Sequence, residues 1–152
     1  MHITFALVVV LDQLSKYFVQ EKLFTGDSIE VIPNFLNLIL TYNPGAAFGL
    51  MAGLPDAVRY LALGTATVVA LVAVMYFFMR DYRHDRFAQI ALAMILGGAV
   101  GNIIDRIRFG MVVDFIDVFV GVHHWPAFNV ADSAICMGVA IIVLRKPLGS
   151  VR

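Results

Sequence analysis

The chain alternates between long apolar runs and short polar islands. A helix needs about 20 mostly apolar residues to cross the hydrocarbon core of a bilayer. Residues 57–79 and 87–104 meet that requirement easily. Residues 3–19 and 130–144 meet it if each run tolerates polar residues, Asp12 and Lys16 in the first and Asp132 in the last. The pattern therefore predicts four membrane-spanning helices. Between the first two, the character changes. Ser28-Ile29-Glu30-Val31 alternates, residues 35–42 are rich in strand formers, and Pro33, Pro44 and Pro55 punctuate the stretch. A small sheet at the membrane surface is expected there. The segment 105–128 carries Trp125, a residue type that anchors at bilayer interfaces, and His123-His124, which read as an interfacial loop. With no repeat and no low-complexity stretch, residues 1–152 read as one domain.

Composition agrees with the spans. Hydrophobic residues make up 61% of the chain, against about 45–50% in soluble domains, and the mean hydropathy is +0.85. The formal net charge of zero offers no basic surface for nucleic acid. A single cysteine, Cys136, excludes a disulfide within the chain and a CxxC metal site, and its place in an apolar run reads as packing. The apolar stretch 3–11 has no positive residues before it. It runs into Asp12-Gln13-Leu14-Ser15-Lys16 rather than a small-x-small cleavage site, so it is expected to stay as a span.

Charge sets the orientation. Arg80, Arg83 and Arg86 lie between spans two and three, and Arg145, Lys146 and Arg152 follow span four. By the positive-inside rule these segments are cytoplasmic, which puts both termini there as well.

On that topology, Asp105, Asp114 and Asp117 follow the outer end of span three. Asp132 opens span four at the same level, and Asp12 lies past the middle of span one toward it. Membrane carboxylates are costly without a partner or a task, so their convergence points to a site. Two close carboxyls cannot both ionise cheaply, and such a pair shares a proton. The ionised member can activate water while the protonated one donates to a carbonyl oxygen or leaving nitrogen. That is aspartic-peptidase chemistry and needs no metal. Spacing does not choose the pair among Asp105, Asp114, Asp117 and Asp132.

Other polar residues have simpler readings. Asp12 and Lys16 are one helical turn apart and suit an ion pair, whereas adjacent Ser15 and Lys16 point about 100° apart and make a poor dyad. Asn102, Asp105 and Arg106 share a helical face. Arg106 suits either an ion pair with an acid or a peptide carbonyl of a substrate. Gly97 and Gly101 form a GxxxG that lets helices approach. No HExxH, GxSxG or GxGD motif occurs, and adjacent histidines are poorly placed to share a metal. A proton- or ion-coupled transporter would also use membrane acids, but the inner halves of spans two to four are almost purely apolar. A purely structural scaffold gives no reason for acids and amides to meet at one depth.

Five blocks carry a resemblance. They are Asp12-Gln13-Leu14-Ser15-Lys16, Asn43-Pro44-Gly45-Ala46-Ala47-Phe48-Gly49, Gly101-Asn102-Ile103-Ile104-Asp105-Arg106, Val113-Asp114-Phe115 and Phe128-Asn129-Val130-Ala131-Asp132-Ser133. In this order, across nearly the whole chain, they resemble bacterial lipoprotein signal peptidase, also called signal peptidase II. The resemblance implies a membrane all-α fold of four transmembrane helices, with a small periplasmic β-sheet cradle formed by residues 20–51 between helices one and two. It implies an inner-membrane aspartic endopeptidase, without cofactor or metal, that removes signal peptides from diacylglyceryl-modified prolipoproteins just before the lipidated cysteine. Asp114 and Asp132 would be catalytic. Asn43, Gly45, Asn102, Arg106 and Asn129 would bind substrate or hold the pair, and Asp12 and Lys16 would be structural. The enzyme would work as a monomer among membrane lipids, its site facing the periplasm, and would bind globomycin, a cyclic lipopeptide inhibitor.

Overall fold

The computed structural model describes residues 1–45, 55–82 and 84–145. Ala46, Ala47, Phe48 and Gly49 of the second motif block lie outside them, as do Arg83, Lys146 and Arg152 of the charged segments. Helix α1 (His2–Lys22) leads into strands β1 (Ser28–Ile32) and β2 (Leu36–Asn43). Helix α2 (Asp56–Phe77) ends in a wider π turn, Phe78–Tyr82, before α3 (Arg86–Phe109). Strands β3 (Val112–Val120) and β4 (His123–His124) then precede α4 (Val130–Leu144).

A helix occupies each of the four apolar runs, but the sheet is larger than expected. Its four strands run antiparallel in the order β1-β2-β3-β4. Half of it therefore comes from between α3 and α4 rather than from between the first two helices. The reason is local. Val112 to Val120 is a β-branched and aromatic run, bounded by Gly110 and Gly121 with φ of 71° and 61°. Such a run favours a strand, and glycine enters left-handed turns without a Cβ penalty. Gly110 caps α3 in this conformation, its N–H donating to Arg106 O at 3.0 Å. Helix α3 thus reaches Phe109, so Asp105 sits inside the helix and not beyond its end. His123 and His124 pair with Val120 and Phe119 as a short strand instead of a loop.

Helices α1, α3 and α4 pack almost backbone to backbone. A Cβ on Gly98 would stand 2.4 Å from Ala131 O, and one on Gly138 2.6 Å from Ala91 O. Only glycine permits this approach, which is the function of the small-residue pattern. At the charged ends of α3 and α4, Asp85 caps α3 by accepting from Phe87 N and Ala88 N, at 2.9 and 3.3 Å. Arg145 Nε reaches the same carboxylate at 2.5 Å and ties the end of α4 to it. Beneath the sheet, Val19, Leu23, Leu40, Val113 and Phe115 form an apolar core joining α1 to β2 and β3.

Among the described residues, α1 and α3 are the two helices long and apolar enough to cross a membrane, and α4 is a shorter apolar helix. The burial of α1 runs opposite to that of a helix in water. Its charged Asp12 and Lys16 are buried, while Ile3, Leu7, Val10, Leu11 and Phe18 are exposed.

Candidate active site

The site begins with Lys16. Its Nζ lies 2.8 Å from Asp12 Oδ2, 2.7 Å from Asp105 Oδ2 and 3.1 Å from Asn102 Oδ1. The expected Asp12–Lys16 pair is therefore part of a larger knot in which one cation serves two acids. Each carboxylate oxygen of the two acids has a donor. Ala131 N donates to Asp12 Oδ1 at 2.9 Å, and Val113 N to Asp105 Oδ2 at 3.1 Å. Gln13 Nε2 reaches Asp105 Oδ1 at 3.0 Å, Asp12 Oδ2 at 3.2 Å and Gly101 O at 3.2 Å. The knot joins α1, α3, α4 and β3. It is possible because Gly101 has no side chain; a Cβ there would stand 2.5 Å from Asp12 Oδ2.

Asn102 carries the order of this knot toward the cavity. Its Oδ1 accepts from both Lys16 Nζ and Asn129 Nδ2, the latter at 3.2 Å. With both donors on the oxygen, the amide nitrogen is left facing Asp132, and it donates to Asp132 Oδ1 at 2.8 Å. Asn129 is held as firmly. It caps α4, accepting from Asp132 N at 2.9 Å while Asp132 Oδ2 accepts from Asn129 N at 3.3 Å. The remaining face of Asn129 donates to Asp114 Oδ1 at 2.7 Å and to Val113 O at 3.2 Å.

Asp114 is delivered by the sheet. Antiparallel register sets it opposite Thr41, with Asn43 the diagonal neighbour on the same strand face. Asn43 Nδ2 donates to Asp114 Oδ2 at 2.9 Å. The orientation of that amide is fixed in turn by Gly45 N, which donates to Asn43 Oδ1 at 2.8 Å. Gly45 has φ of 92°, a turn conformation that a side chain would strain. Burial, as the largest cause, pushes the Asp114 carboxyl up to about 6, aided by the negative charge of Asp132; the amides of Asn43 and Asn129 pull the other way.

Asp114 and Asp132 line a cavity of about 730 Å³. Its walls are Thr41, Tyr42, Asn43 and Pro44 from the sheet, residues 125–128, and Ser133, Cys136 and Met137 of α4. Two carboxylates that interact across such a space, each supplied with neutral amide donors, can share one proton and handle one water. Among the described residues no group of three or more histidine, cysteine or acidic side chains could hold a metal.

Of the four acids left open by spacing, the geometry separates three pairings. Asp105 belongs to Lys16, Asp114 and Asp132 face the cavity, and Asp117 bonds Asn37 and His124 at 3.0 and 2.8 Å. Arg106 donates to Asn102 O at 3.4 Å, within its own helix, and lines a second, apolar cavity of about 370 Å³ between α2 and α3. Sequence reasoning missed Gln13 as a partner of two acids, although a glutamine inside an apolar span was a visible signal. It also missed the Asn129–Asp132 capping box, whose signature is an asparagine three residues before an acid at the head of an apolar run.

A helical, outwardly apolar molecule with a carboxylate pair lining a cavity falls in the class of membrane-embedded aspartic hydrolases. Comparison with known proteins agrees. Residues 4–146 match the family model described as signal peptidase (SPase) II. A lipoprotein signal peptidase of Syntrophus aciditrophicus is 44% identical over 142 residues, 93% of this chain and 88% of that protein. One from Staphylococcus aureus (strain Newman) is 41% identical, over 90% of this chain and 81% of that protein. A solved structure described as a bacterial membrane enzyme at 1.9 A resolution superposes with a TM-score of 0.79 at 39% identity, covering 93% of this chain and 88% of that one. The chain belongs to the signal peptidase II family, and it is an aspartic peptidase of that family.

Proposed function

We propose that Asp114 and Asp132 are the catalytic pair with which this peptidase removes signal peptides from diacylglyceryl-modified prolipoproteins, cutting just before the lipidated cysteine. The observation that carries this reading is the amide chain between the two acids. Asp114 Oδ1 receives Asn129, Asn129 reaches Asn102, and Asn102 donates to Asp132. Both carboxylates are thus fixed at one cavity by neutral donors, and among the described residues neither is in a direct ion pair.

In the proposed reaction one carboxyl is ionised and the other protonated. The carboxylate takes a proton from water, and the resulting hydroxide adds to the scissile carbonyl carbon. The protonated carboxyl gives its proton to the carbonyl oxygen, forming a tetrahedral diol. Collapse breaks the C–N bond: the proton taken from water passes to the leaving amine of the cysteine, and the carboxylate that had protonated the carbonyl oxygen takes back a diol hydroxyl proton, restoring the pair. Asn43, Asn102 and Asn129 hold the pair through their amides, Gly45 fixes the Asn43 amide, and Asn43 also lines the cavity. Arg106, half-buried at the mouth of an apolar space, offers a guanidinium fork to a substrate carbonyl.

The outward apolar faces of α1 and α2 favour four spans in a bacterial inner membrane. The sheet then cradles substrate on the periplasmic side, and the arginine-rich end between α2 and α3 lies in the cytoplasm with both termini. We read residues 1–152 as one domain that acts as a monomer among membrane lipids. A cyclic lipopeptide such as globomycin would compete for the same cavity.

The test uses purified protein in detergent. A lipidated precursor should be cut before the modified cysteine, as located by mass spectrometry, and a precursor lacking the diacylglyceryl group should be cut far more slowly. Chelation should leave the rate unchanged. Equal rates on both precursors would indicate a general peptidase, and loss of activity with EDTA, restored by zinc, would overturn the aspartic mechanism.

A further inference from the structure

The hairpin between the two cavity acids holds a second polar cluster that the proposed chemistry does not use. Asp117, buried at 7% exposure, accepts from Asn37 Nδ2 at 3.0 Å on one oxygen and meets His124 Nδ1 at 2.8 Å on the other. Asn37 stands directly opposite Asp117 in the β2–β3 register. The His124 ring stacks on Phe119, with centroids 4.9 Å apart and planes 11° apart. A carboxylate only accepts, so Nδ1 carries the proton, which the neutral Nδ1–H tautomer supplies as well as the imidazolium does. Asp117 and His124 themselves do not line the cavity.

What they hold does line it. Immediately after His124, Trp125, Pro126, Ala127 and Phe128 form one wall of the 730 Å³ space. This wall is pinned to β3 at both ends. Trp125 N donates to Val118 O at 2.8 Å, and Phe128 exchanges bonds with Ile116 at 2.8 and 3.1 Å. Between those pins the path contains Pro126, which has no N–H to give, and the segment stands open to its surroundings, with Trp125 68% exposed. Beside those backbone bonds, the His124 side chain ties the near end of the wall to the buried Asp117. Phe128 leads directly into Asn129, the shared amide of the site.

We propose that Asp117 and His124 form a clasp that positions the wall at residues 125–128, and so sets how well the cavity fits its substrate. The clasp acts on binding rather than on the reacting atoms, because Asn129 and both cavity acids keep their own bonds without it. Both are therefore positioning residues. The inference rests on the peptidase reading, since it takes the cavity to be the substrate site.

Steady-state cleavage of the lipidated precursor tests it. His124→Ala and Asp117→Ala should each raise KM about three- to fivefold, the range expected for a half-exposed hydrogen-bonded pair, and leave kcat within about twofold. The double variant should be no worse than the poorer single one, because each change breaks the same bond. His124→Asn should recover most of the wild-type KM, since its amide nitrogen can stand where Nδ1 stands and donate to Asp117. Unchanged KM in both alanine variants would overturn the clasp. So would a loss confined to melting temperature, or a fall in kcat at constant KM. Should His124→Ala fail to fold, Asp117→Asn serves, because it keeps the bond to the ring but weakens it, and should show a smaller rise in KM. Failure of the wild-type enzyme to cut the precursor at all would instead count against the peptidase reading.

Discussion

Four aspartates near one depth of the molecule divide into two kinds. Asp105 and Asp114 are almost equally dry, at 1% and 2% exposure, so burial does not distinguish them. Their partners do. Asp12 and Asp105 flank Lys16, within 2.8 Å of its charge. Asp114 and Asp132 receive amide hydrogens from Asn43, Asn129 and Asn102, and face a cavity. A cation fixes a carboxylate in its charged form and ties it to one place. Amides hold the position but leave the proton free to move. The first pair is suited to holding helices together, and the second to exchanging protons with water and substrate.

The comparison can be broken from its structural side. Lys16→Met keeps the length of the side chain but leaves two buried acids with no shared cation. It should cost about 3–5 kcal/mol, the usual penalty for orphaning a buried charge, and show as a large fall in melting temperature and yield. Survival of wild-type stability would mean that the knot is not what joins α1 to α3.

A smaller effect is expected at Arg106, whose guanidinium bonds a backbone oxygen of its own helix. An ion-pair role would let lysine substitute. A carbonyl-holding role predicts that Arg106→Lys lowers kcat/KM about tenfold with an unchanged melting temperature, because a single ammonium cannot reproduce the fork. Cleavage rates beside thermal melts decide between the two.

The smallest effect sharpens the other side of the comparison. The Asn43 amide stabilises the charged form of Asp114, so Asn43→Ala should push that carboxyl above its value of about 6. On the proposed mechanism the pair works with one proton and loses activity as pH rises past its upper apparent pKa. The alkaline limb of kcat/KM should therefore move to higher pH in the variant. A limb that moves to lower pH, or stays fixed, would show that Asn43 does not act on the ionisation of Asp114.

Much of this was legible in the chain. Four apolar runs gave the helices, and the turn-spaced Asp12 and Lys16 gave the ion pair. The motif resemblance singled out Asp114 and Asp132 where spacing alone could not. What stayed hidden depended on strand β3. Residues 112–120 have strand-forming composition between two glycines, but no local pattern says that they pair with β2 across α2 and α3. Without that pairing nothing sets Asn43 diagonal to Asp114, and nothing brings Val113 N to Asp105. The assignment of Asp105 to Lys16 is likewise a contact between helices more than 80 residues apart, invisible to periodicity. The histidines read as a loop because two residues are too few for an alternation to register.

The most direct measurement sets all four aspartates side by side, each replaced by asparagine, with cleavage rate and melting temperature read on the same samples. Asp114→Asn and Asp132→Asn should each lose at least about a thousandfold in kcat and melt close to wild type. Asp12→Asn and Asp105→Asn should melt lower, while the folded fraction still cuts the lipidated precursor at a substantial rate. Near wild-type turnover in Asp114→Asn or Asp132→Asn would contradict the division of the acids.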